Sequence, residues 1–226
     1  GKICDYIVVQ APGLVERLLL YENLPHRKVK VLTNSVDVNY WKPVCNPDKS
    51  PPCSNEIRKI LYIPQRSMDG IDASLGMKTV LASIKQLQVM GVKIDLTVVV
   101  KSDAQQVGKV LRVSEEIKLV DRITVLHDLN RDQMRETYNS NDLMIYQTVN
   151  DGSPRVVIEA LACGLPVVCN THPGITVLDK HREFIQFTAY ENIDSMVNVL
   201  IKINDLDFLS GIAKKGRANM ESSFSN

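Results

Sequence analysis

Short apolar runs rich in β-branched residues alternate with longer helical patterns along most of this chain. Strict alternation of strands and helices implies a parallel sheet covered by helices on both faces, because parallel strands need long crossover connections. The pattern predicts strands at Tyr6–Val9, Val29–Leu32, Lys59–Ile63, Asp95–Val100, Arg122–Leu126, Leu143–Tyr146, Pro166–Cys169 and Phe184–Phe187. It predicts helices at Met77–Met90, Ala104–Val113, Arg131–Asn139, Pro154–Cys163, Ile193–Ile203 and Asp207–Glu221. The predicted fold class is therefore α/β, a Rossmann-like parallel sheet, which binds ligands at the carboxyl ends of its strands.

Two carboxylates with seven residues between them stand in the segment Asp151–Val168, which reads Asp-Gly-Ser-Pro-Arg-Val-Val-Ile-Glu-Ala-Leu-Ala-Cys-Gly-Leu-Pro-Val-Val. Pro154 suits the start of a helix and Gly164 suits its end. The helix start offers unpaired amides and a positive dipole end to an anion, whereas Glu159, further along, suits a neutral hydroxyl pair such as the ribose diol. An ordinary Asp-Gly turn and a Glu that offsets the helix dipole explain the same residues. The spacing alone leaves both explanations open.

This segment resembles the signature of the retaining glycosyltransferases of the GT-B class, family-four type. Three further segments resemble motifs of that family in the same order: the Asn-x-Val-Asp run in Val31–Pro43, the strand and phosphate turn Ile60–Arg66, and the strand, loop, helix and strand of Arg122–Ile145. The resemblance implies the donor half of a GT-B fold. It also implies transfer of a sugar from a nucleotide-diphosphate sugar to a glycan, lipid-linked or small-molecule acceptor.

The resemblance assigns roles to individual residues. Arg66, Asp151 and Glu159 are the candidate catalytic residues: Arg66 would contact the diphosphate, Asp151 the sugar hydroxyls and Glu159 the ribose. Arg66 and the amides at the helix start would stabilise the departing nucleoside diphosphate electrostatically, without a covalent intermediate. The nucleobase would lie against the backbone near Val100–Ser102 and His127–Leu129. The predicted donor-binding set is Arg66, Ser102, His127, Leu129, Asp151, Gly152, Ser153, Arg155 and Glu159.

The chain departs from the family pattern at the phosphate turn. Leu75 stands before Gly76 where the family has the Lys of a Lys-Gly pair, after an apparent insertion over residues 67–74. Lys78 would lie one turn inside the following helix, and Arg155 in the signature is the candidate to replace the lost charge. At position 151 the family more often has Glu, which reaches further by one methylene. These differences bear on catalysis more than on the fold.

The resemblance also divides the chain into parts. Residues 1–33 are expected to be the end of an N-terminal acceptor domain whose bulk is missing from this chain. Residues 34–56 are expected to be the interdomain linker, since two Pro-rich clusters interrupt the alternation there. Residues 57–226 are expected to be the nucleotide-sugar-binding domain. The activity of the fragment alone would then depend on the missing half.

Composition limits the partners and the compartment. With 44% hydrophobic residues among 226, the chain can bury a full-size core, and a net charge of +1 provides no field for nucleic acid. No apolar stretch approaches the roughly 20 residues of a spanning helix, so membrane contact would be peripheral at most. Five cysteines without metal spacing suit a reducing compartment. We expect a cytoplasmic protein, at most at the cytosolic face of a membrane. The less favoured alternative is a Cys45–Cys53 disulfide, which would place the protein in a secretory compartment.

No cofactor is expected beyond the nucleotide-diphosphate sugar as co-substrate. A metal is not predicted, because neither an Asp-x-Asp motif nor a His/Cys cluster stands at a strand end. His127 and His172 are not assigned as general bases. Two other classes are considered: a non-catalytic nucleotide-sugar-binding subunit or lapsed homologue, and a dinucleotide-dependent Rossmann enzyme. The second lacks the Gly-x-Gly-x-x-Gly turn after its opening strand.

Overall fold

Two parallel sheets contain the strands in the described part of the chain. The structure, a computed structural model, describes residues 5–10, 15, 18–19, 25–44, 59–65, 74–100, 104–119, 122–149 and 151–225. In the small sheet, β1 (Ile7–Val9) pairs with β2 (Val29–Val31). The large sheet contains β3 (Lys59–Tyr62), β4 (Asp95–Val100), β5 (Ile123–His127), β6 (Leu143–Tyr146), β7 (Val167–Asn170) and β8 (Ile185–Thr188). Its order is β5-β4-β3-β6-β7-β8, with all neighbours parallel.

Helices connect the strands of the large sheet and cover it on both faces. They are α1 (Ser74–Val89), α2 (Ala104–Glu116), α3 (Arg131–Ser140), α4 (Arg155–Ala162), α5 (Pro173–Thr176), α6 (Ile193–Lys202) and α7 (Leu206–Asn219), and a π-helical turn, Met220–Phe224, follows α7. Helix α1 packs against α2 and α6, whereas α4 packs against α7. This architecture confirms the predicted α/β class and the order of the predicted strands and helices, but the short helix α5, between β7 and β8, was not predicted.

The ends of several elements differ from the predictions by a few residues. Helix α1 begins at Ser74 rather than Met77, and α2 continues past Val113 to Glu116. Pro154, predicted as the first helical residue, is instead the N-cap of α4, because its ψ of 106° is extended. Gly164 ends α4 with a φ of +72°, as predicted, in the conformation that glycine tolerates best.

The centre of the large sheet is apolar on both sides. All four residues of β6 and all four of β7 are buried. This is the pattern of a parallel strand covered by helices on both faces, where alternation between polar and apolar residues disappears. The sheet therefore forms a rigid base whose carboxyl edge presents the loops that follow β3 to β8.

A strap, residues 34–44, crosses α3 and α4. Within it Asp37 accepts hydrogen bonds from the amides of Asn39 and Tyr40, at 3.0 and 3.1 Å, which fixes the local turn. Trp41 is buried against the ring of Tyr138 on α3, with ring centroids 5.7 Å apart. The strap is thus packed onto the large sheet's own helices.

Arg217 on α7 anchors the strap from the other side. Its guanidinium donates to the carbonyls of Trp41 at 2.7 Å and Val38 at 3.0 Å, and also to the carbonyl of Ala162 at the end of α4. Its Nε donates to Glu221 at 2.7 Å. One planar fork therefore joins the strap, the end of α4 and the last helix, a task that suits arginine.

Candidate functional site

The signature segment lies at the carboxyl edge of the large sheet, between β6 and α4. We call residues 147–154 the signature loop. Its first residues are fixed by the neighbouring strand: the Thr148 amide donates to Asn170 Oδ1 at 2.7 Å, and Asn170 Nδ2 donates to the Thr148 carbonyl at 2.9 Å. The predicted strand, loop and helix are therefore confirmed, and the loop starts from a buried, hydrogen-bonded base.

Asp151 accepts hydrogen bonds from the chain through both carboxylate oxygens. The hydroxyl of Tyr146 donates to Oδ2 at 2.7 Å, and the amide of Ser153 donates to Oδ1 at 3.1 Å. Burial and the carboxylate together raise the pKa of Tyr146, so the phenol remains a donor. Asp151 thus orders the signature loop, and the remaining lone pairs of its oxygens are what it could offer to a ligand.

The strap and helix α5 hold the signature loop from two sides. Asn34 in the strap donates through Nδ2 to the Ser153 carbonyl at 2.7 Å. At the start of α5, a Cβ on Gly174 would overlap the carbonyl oxygen of Asp151 and lie 2.8 Å from the carbonyl carbon of Gly152, so only glycine allows this approach. Beside it, burial lowers the pKa of His172, and its Nδ1 accepts from the Gly174 amide at 3.2 Å.

Glu159 lies beside a cavity of about 410 Å³ between the strap, α3 and α4. The cavity is lined by Ser35, Val36, Asp37, Trp41, Arg131, Arg155, Ile158 and Glu159. The hydroxyl of the buried Tyr138 donates to Glu159 Oε2 at 3.2 Å. Glu159 is therefore half-buried, hydrogen-bonded on one oxygen and open to the cavity.

Burial is the main influence on the pKa of Glu159. It raises the pKa of the carboxyl, while the Tyr138 hydrogen bond and the nearby Arg155 and Arg131 act in the opposite direction. Two cations, two carboxylates and the apolar surfaces of Trp41 and Ile158 thus line one space. Such a mixture of apolar walls and a few fixed polar groups is typical of sites for small polar molecules.

The two carboxylates of the signature have different surroundings. Glu159 and Arg155 both line the cavity, whereas Asp151 is not among its lining residues and is bonded to Tyr146. The Asp151 carboxylate is thus hydrogen-bonded within the signature loop, whereas Glu159 lines the cavity. The assignment of both residues and Arg155 to one donor site stays a prediction.

The other predicted site residues have varied positions. His127 ends β5, is exposed and has its Nδ1 3.2 Å from the carboxylate of Asp128; Leu129 is half-buried just before α3. Lys78 is exposed on α1, one turn inside the helix as predicted. Arg66 and Ser102 lie outside the described residues, so their assignments remain predictions.

Sequence reasoning missed the residues that hold Glu159 and Asp151 in place. Tyr138 and Tyr146 were read only as part of a helix and a strand, and Arg131 only as a helix start. Trp41 and Asp37 were noted only within the linker motif. Buried tyrosines need a hydrogen-bond partner, so two of them near the signature were a usable signal.

A larger cavity, of about 490 Å³, lies at the opposite edge of the sheet. It is bordered by Asp142 before β6, Pro166 before β7 and Leu206 at the start of α7. Ligands of parallel α/β sheets bind at the carboxyl ends of the strands, and this cavity is at the amino ends. Position therefore favours the smaller cavity beside Glu159 as the candidate site.

Among the described residues, no cluster of three metal-ligating side chains occurs, and none of the helices there has the length and apolarity to span a bilayer. Cys163 and Cys169 are free and buried, in agreement with a packing role, and burial raises the pKa of Cys163 to about 12. Cys45 and Cys53 lie outside the described residues.

Comparison with known proteins establishes the family. The model of the family "Glycosyl transferases group 1" matches residues 72–217, and the chain belongs to this family. This assignment excludes the dinucleotide-dependent alternative. An uncharacterised glycosyltransferase of Haemophilus influenzae is 35% identical over 86 residues, which are 37% of this chain and 24% of that protein. The D-inositol 3-phosphate glycosyltransferase of Mycolicibacterium smegmatis is 32% identical over 76 residues, 34% of this chain and 18% of that protein.

Solved structures of other proteins share the fold of this chain. Sucrose-phosphate synthase from Thermosynechococcus elongatus superposes with a TM-score of 0.82 and 18% identity, covering 98% of this chain and 55% of that one. HepE from Anabaena, solved with UDP and glucose, gives a TM-score of 0.78 and 16% identity, covering 98% of this chain and 60% of that one. The chain thus spans little more than half the length of these structures, and its matches span a quarter or less of the curated relatives.

Proposed function

We propose that this chain is the donor-binding part of a retaining glycosyltransferase that uses a nucleotide-diphosphate sugar. The observation that carries the proposal is the position of Glu159. Its carboxylate lies in the second turn of α4, next to a cavity and beyond the helix start where an anion would bind. A nucleoside diphosphate needs both features: oriented amides for the phosphates and an acceptor for the ribose diol.

The comparisons support a nucleotide-sugar donor. HepE was solved with UDP and with UDP-glucose, and TarM from S. aureus was solved with UDP. By analogy, the base in this chain would lie near the loop after β5, which contains His127 and Leu129. The phosphates would lie at the start of α4, near Gly152, Ser153 and Arg155. Asp151 would contact sugar hydroxyls through the lone pairs that its internal hydrogen bonds leave available.

The proposed chemistry is electrostatic activation of the donor. Arg66 and the amides at the start of α4 would stabilise charge on the departing nucleoside diphosphate. Arg155 would supply positive charge in place of the Lys that the phosphate turn lacks. The donor is a co-substrate, and we propose that the reaction uses neither a metal nor another cofactor.

The domain division of the sequence stays a proposal. Residues 1–33 would be the end of an acceptor-binding domain, residues 34–56 the linker, and residues 57–226 the donor domain. The small sheet leaves apolar side chains of both strands exposed, among them Val8 and Val31, as expected if further structure covers them. The acceptor would be a glycan, a lipid-linked molecule or a small molecule bound by that other domain, and the protein would be cytoplasmic, at most at the cytosolic face of a membrane.

Calorimetric titration of this chain with UDP, GDP and ADP tests the donor assignment. We expect one of the three to bind, and Glu159→Ala to weaken that binding by about 1–3 kcal/mol, because a hydroxyl pair loses its charged acceptor. An exposed substitution outside the cavity, Glu136→Ala on α3, is the matched control and should leave the affinity unchanged. Equal affinities for the wild type and Glu159→Ala would contradict the assignment.

A further inference from the structure

We propose that Tyr138 is a positioning residue for Glu159: its buried hydroxyl holds one carboxylate oxygen so that the other is presented to a ribose hydroxyl. The inference rests on the proposed function, since it concerns the same donor site. Tyr138 itself would not contact the donor. Its effect would be transmitted through the 3.2 Å hydrogen bond to Glu159 Oε2.

Tyr138 is held rigidly enough to fix the orientation of the Glu159 carboxylate. It is 1% exposed and lies on α3, whose start is fixed by reciprocal hydrogen bonds between Asn130 and Gln133. Trp41 of the strap packs edge-on against its ring, at 5.7 Å and 68° between planes. Since a buried phenol requires a hydrogen-bond partner, the ring position and the hydroxyl direction are both determined by the fold.

The side chain of Glu159 needs to be held in one orientation because an unrestrained glutamate side chain is mobile. Ordering one on ligand binding costs rotamer entropy, a cost that preorganisation removes in advance. A diol is held by directional hydrogen bonds, so the orientation of the carboxylate affects the affinity directly. Tyr138 supplies this orientation from a neighbouring helix.

The groups around Glu159 determine how its pKa would respond to loss of the Tyr138 hydroxyl. Tyr138 and Arg131 face it from α3, Arg155 from α4, and Asp37 lines the same cavity from the strap. The buried Cys163 also lies within electrostatic range of the carboxylate. Of the groups that oppose burial, the Tyr138 hydrogen bond has the largest effect on the pKa of Glu159. Loss of that hydroxyl should therefore raise the pKa of Glu159 further.

The test is Tyr138→Phe, which keeps the ring against Trp41 and removes only the hydroxyl. Tyr62→Phe is the matched control, because Tyr62 is also fully buried and its electrostatic neighbour is Tyr190, not Glu159. The first readout needs no ligand: carbon-13 NMR titration of the Glu159 carboxyl. We expect its pKa to rise in Tyr138→Phe and to stay unchanged in Tyr62→Phe.

The second readout is the affinity for the nucleoside diphosphate that binds most tightly among UDP, GDP and ADP. Tyr138→Phe should weaken it roughly tenfold, the equivalent of one ordered side chain. Since protonation of the carboxylate reduces its capacity to accept from the ribose, the loss should grow as the pH falls. In the Glu159→Gln background, which cannot ionise, Tyr138→Phe should leave the pH profile of affinity unchanged.

The outcomes separate this inference from the donor assignment. An unshifted Glu159 titration in Tyr138→Phe overturns the positioning role. So does a shifted titration with an unaltered nucleotide affinity and pH profile. If the titration shifts but the wild-type chain binds none of the three nucleotides, the contact between Tyr138 and Glu159 stands, whereas the donor assignment and the role in ribose binding both fail.

Discussion

Replacement of Glu159 by Gln should weaken nucleotide binding but raise the free energy of unfolding at neutral pH. Glu159→Gln keeps the shape of the side chain and an oxygen that accepts from Tyr138, but it removes the charge. A hydrogen bond to a charged group contributes about 1.5–3 kcal/mol and one to a neutral group about 1, so nucleotide binding should weaken by about 0.5–2 kcal/mol. That is a loss of roughly two- to thirtyfold in affinity.

The free energy of unfolding should change in the opposite direction. Burial raises the pKa of Glu159 in the folded chain, so the folded state binds more protons than the unfolded state between the unfolded and folded pKa values. Stability therefore falls as the pH rises through this interval, and the full deficit is present above the folded pKa. Glu159→Gln should be more stable than the wild type at neutral pH, and this gain should disappear below the unfolded pKa of about 4.3.

Glu159→Ala provides the contrast. It leaves the buried hydroxyl of Tyr138 without its acceptor, which should cost about 1–3 kcal/mol of stability. Urea unfolding across a series of pH values measures the stability of the three proteins, and calorimetry measures their nucleotide affinity. A Glu159→Gln protein that is less stable than the wild type at neutral pH, or that binds nucleotide equally well, would refute this reasoning.

Three further substitutions test other parts of the account. Arg217→Met removes donors to three backbone carbonyls and should lower the free energy of unfolding, measured in urea, by about 2–4 kcal/mol. A loss below about 1 kcal/mol would show that the strap is held by other contacts. Gly174→Ala should push the signature loop away from α5, because the new Cβ collides with Gly152, and weaken nucleotide binding in calorimetry; an unchanged affinity would show that the loop adapts. Arg155→Gln should weaken binding of a nucleoside diphosphate several-fold and leave binding of the nucleoside unchanged, because the guanidinium would bind the phosphates. Equal losses for both ligands would place Arg155 elsewhere in the site.

Much of the fold could be predicted because parallel sheets leave a strong pattern in the sequence. Strand β6 is a continuous apolar run, β7 is apolar up to Asn170, and Gly164 marks the end of the helix between them. Helix ends were less predictable. Proline is typical of the first helical position, and the extended ψ angle that makes Pro154 the N-cap instead depends on how the loop packs.

The candidate site was predictable only in part, since hydrogen bonds between distant residues have no local signal. The signature indicated Asp151 and Glu159, but their partners are tyrosines on β6 and α3 that only the folded chain brings near. The strap was expected to be a linker, and nothing in its sequence showed that Trp41 would line the cavity. Tertiary contacts of this kind depend on the relative placement of whole elements.

Amide chemical-shift mapping of this chain with a nucleoside diphosphate would show where on the sheet the donor binds. For whichever of UDP, GDP and ADP binds, we predict that the largest shifts occur at Gly152, Ser153 and the first turns of α4, with a second group in the loop after β5. Shifts concentrated around the cavity at the amino edge of the sheet, near Pro166 and Leu206, would contradict the account. Absence of shifts with all three nucleotides would contradict it as well.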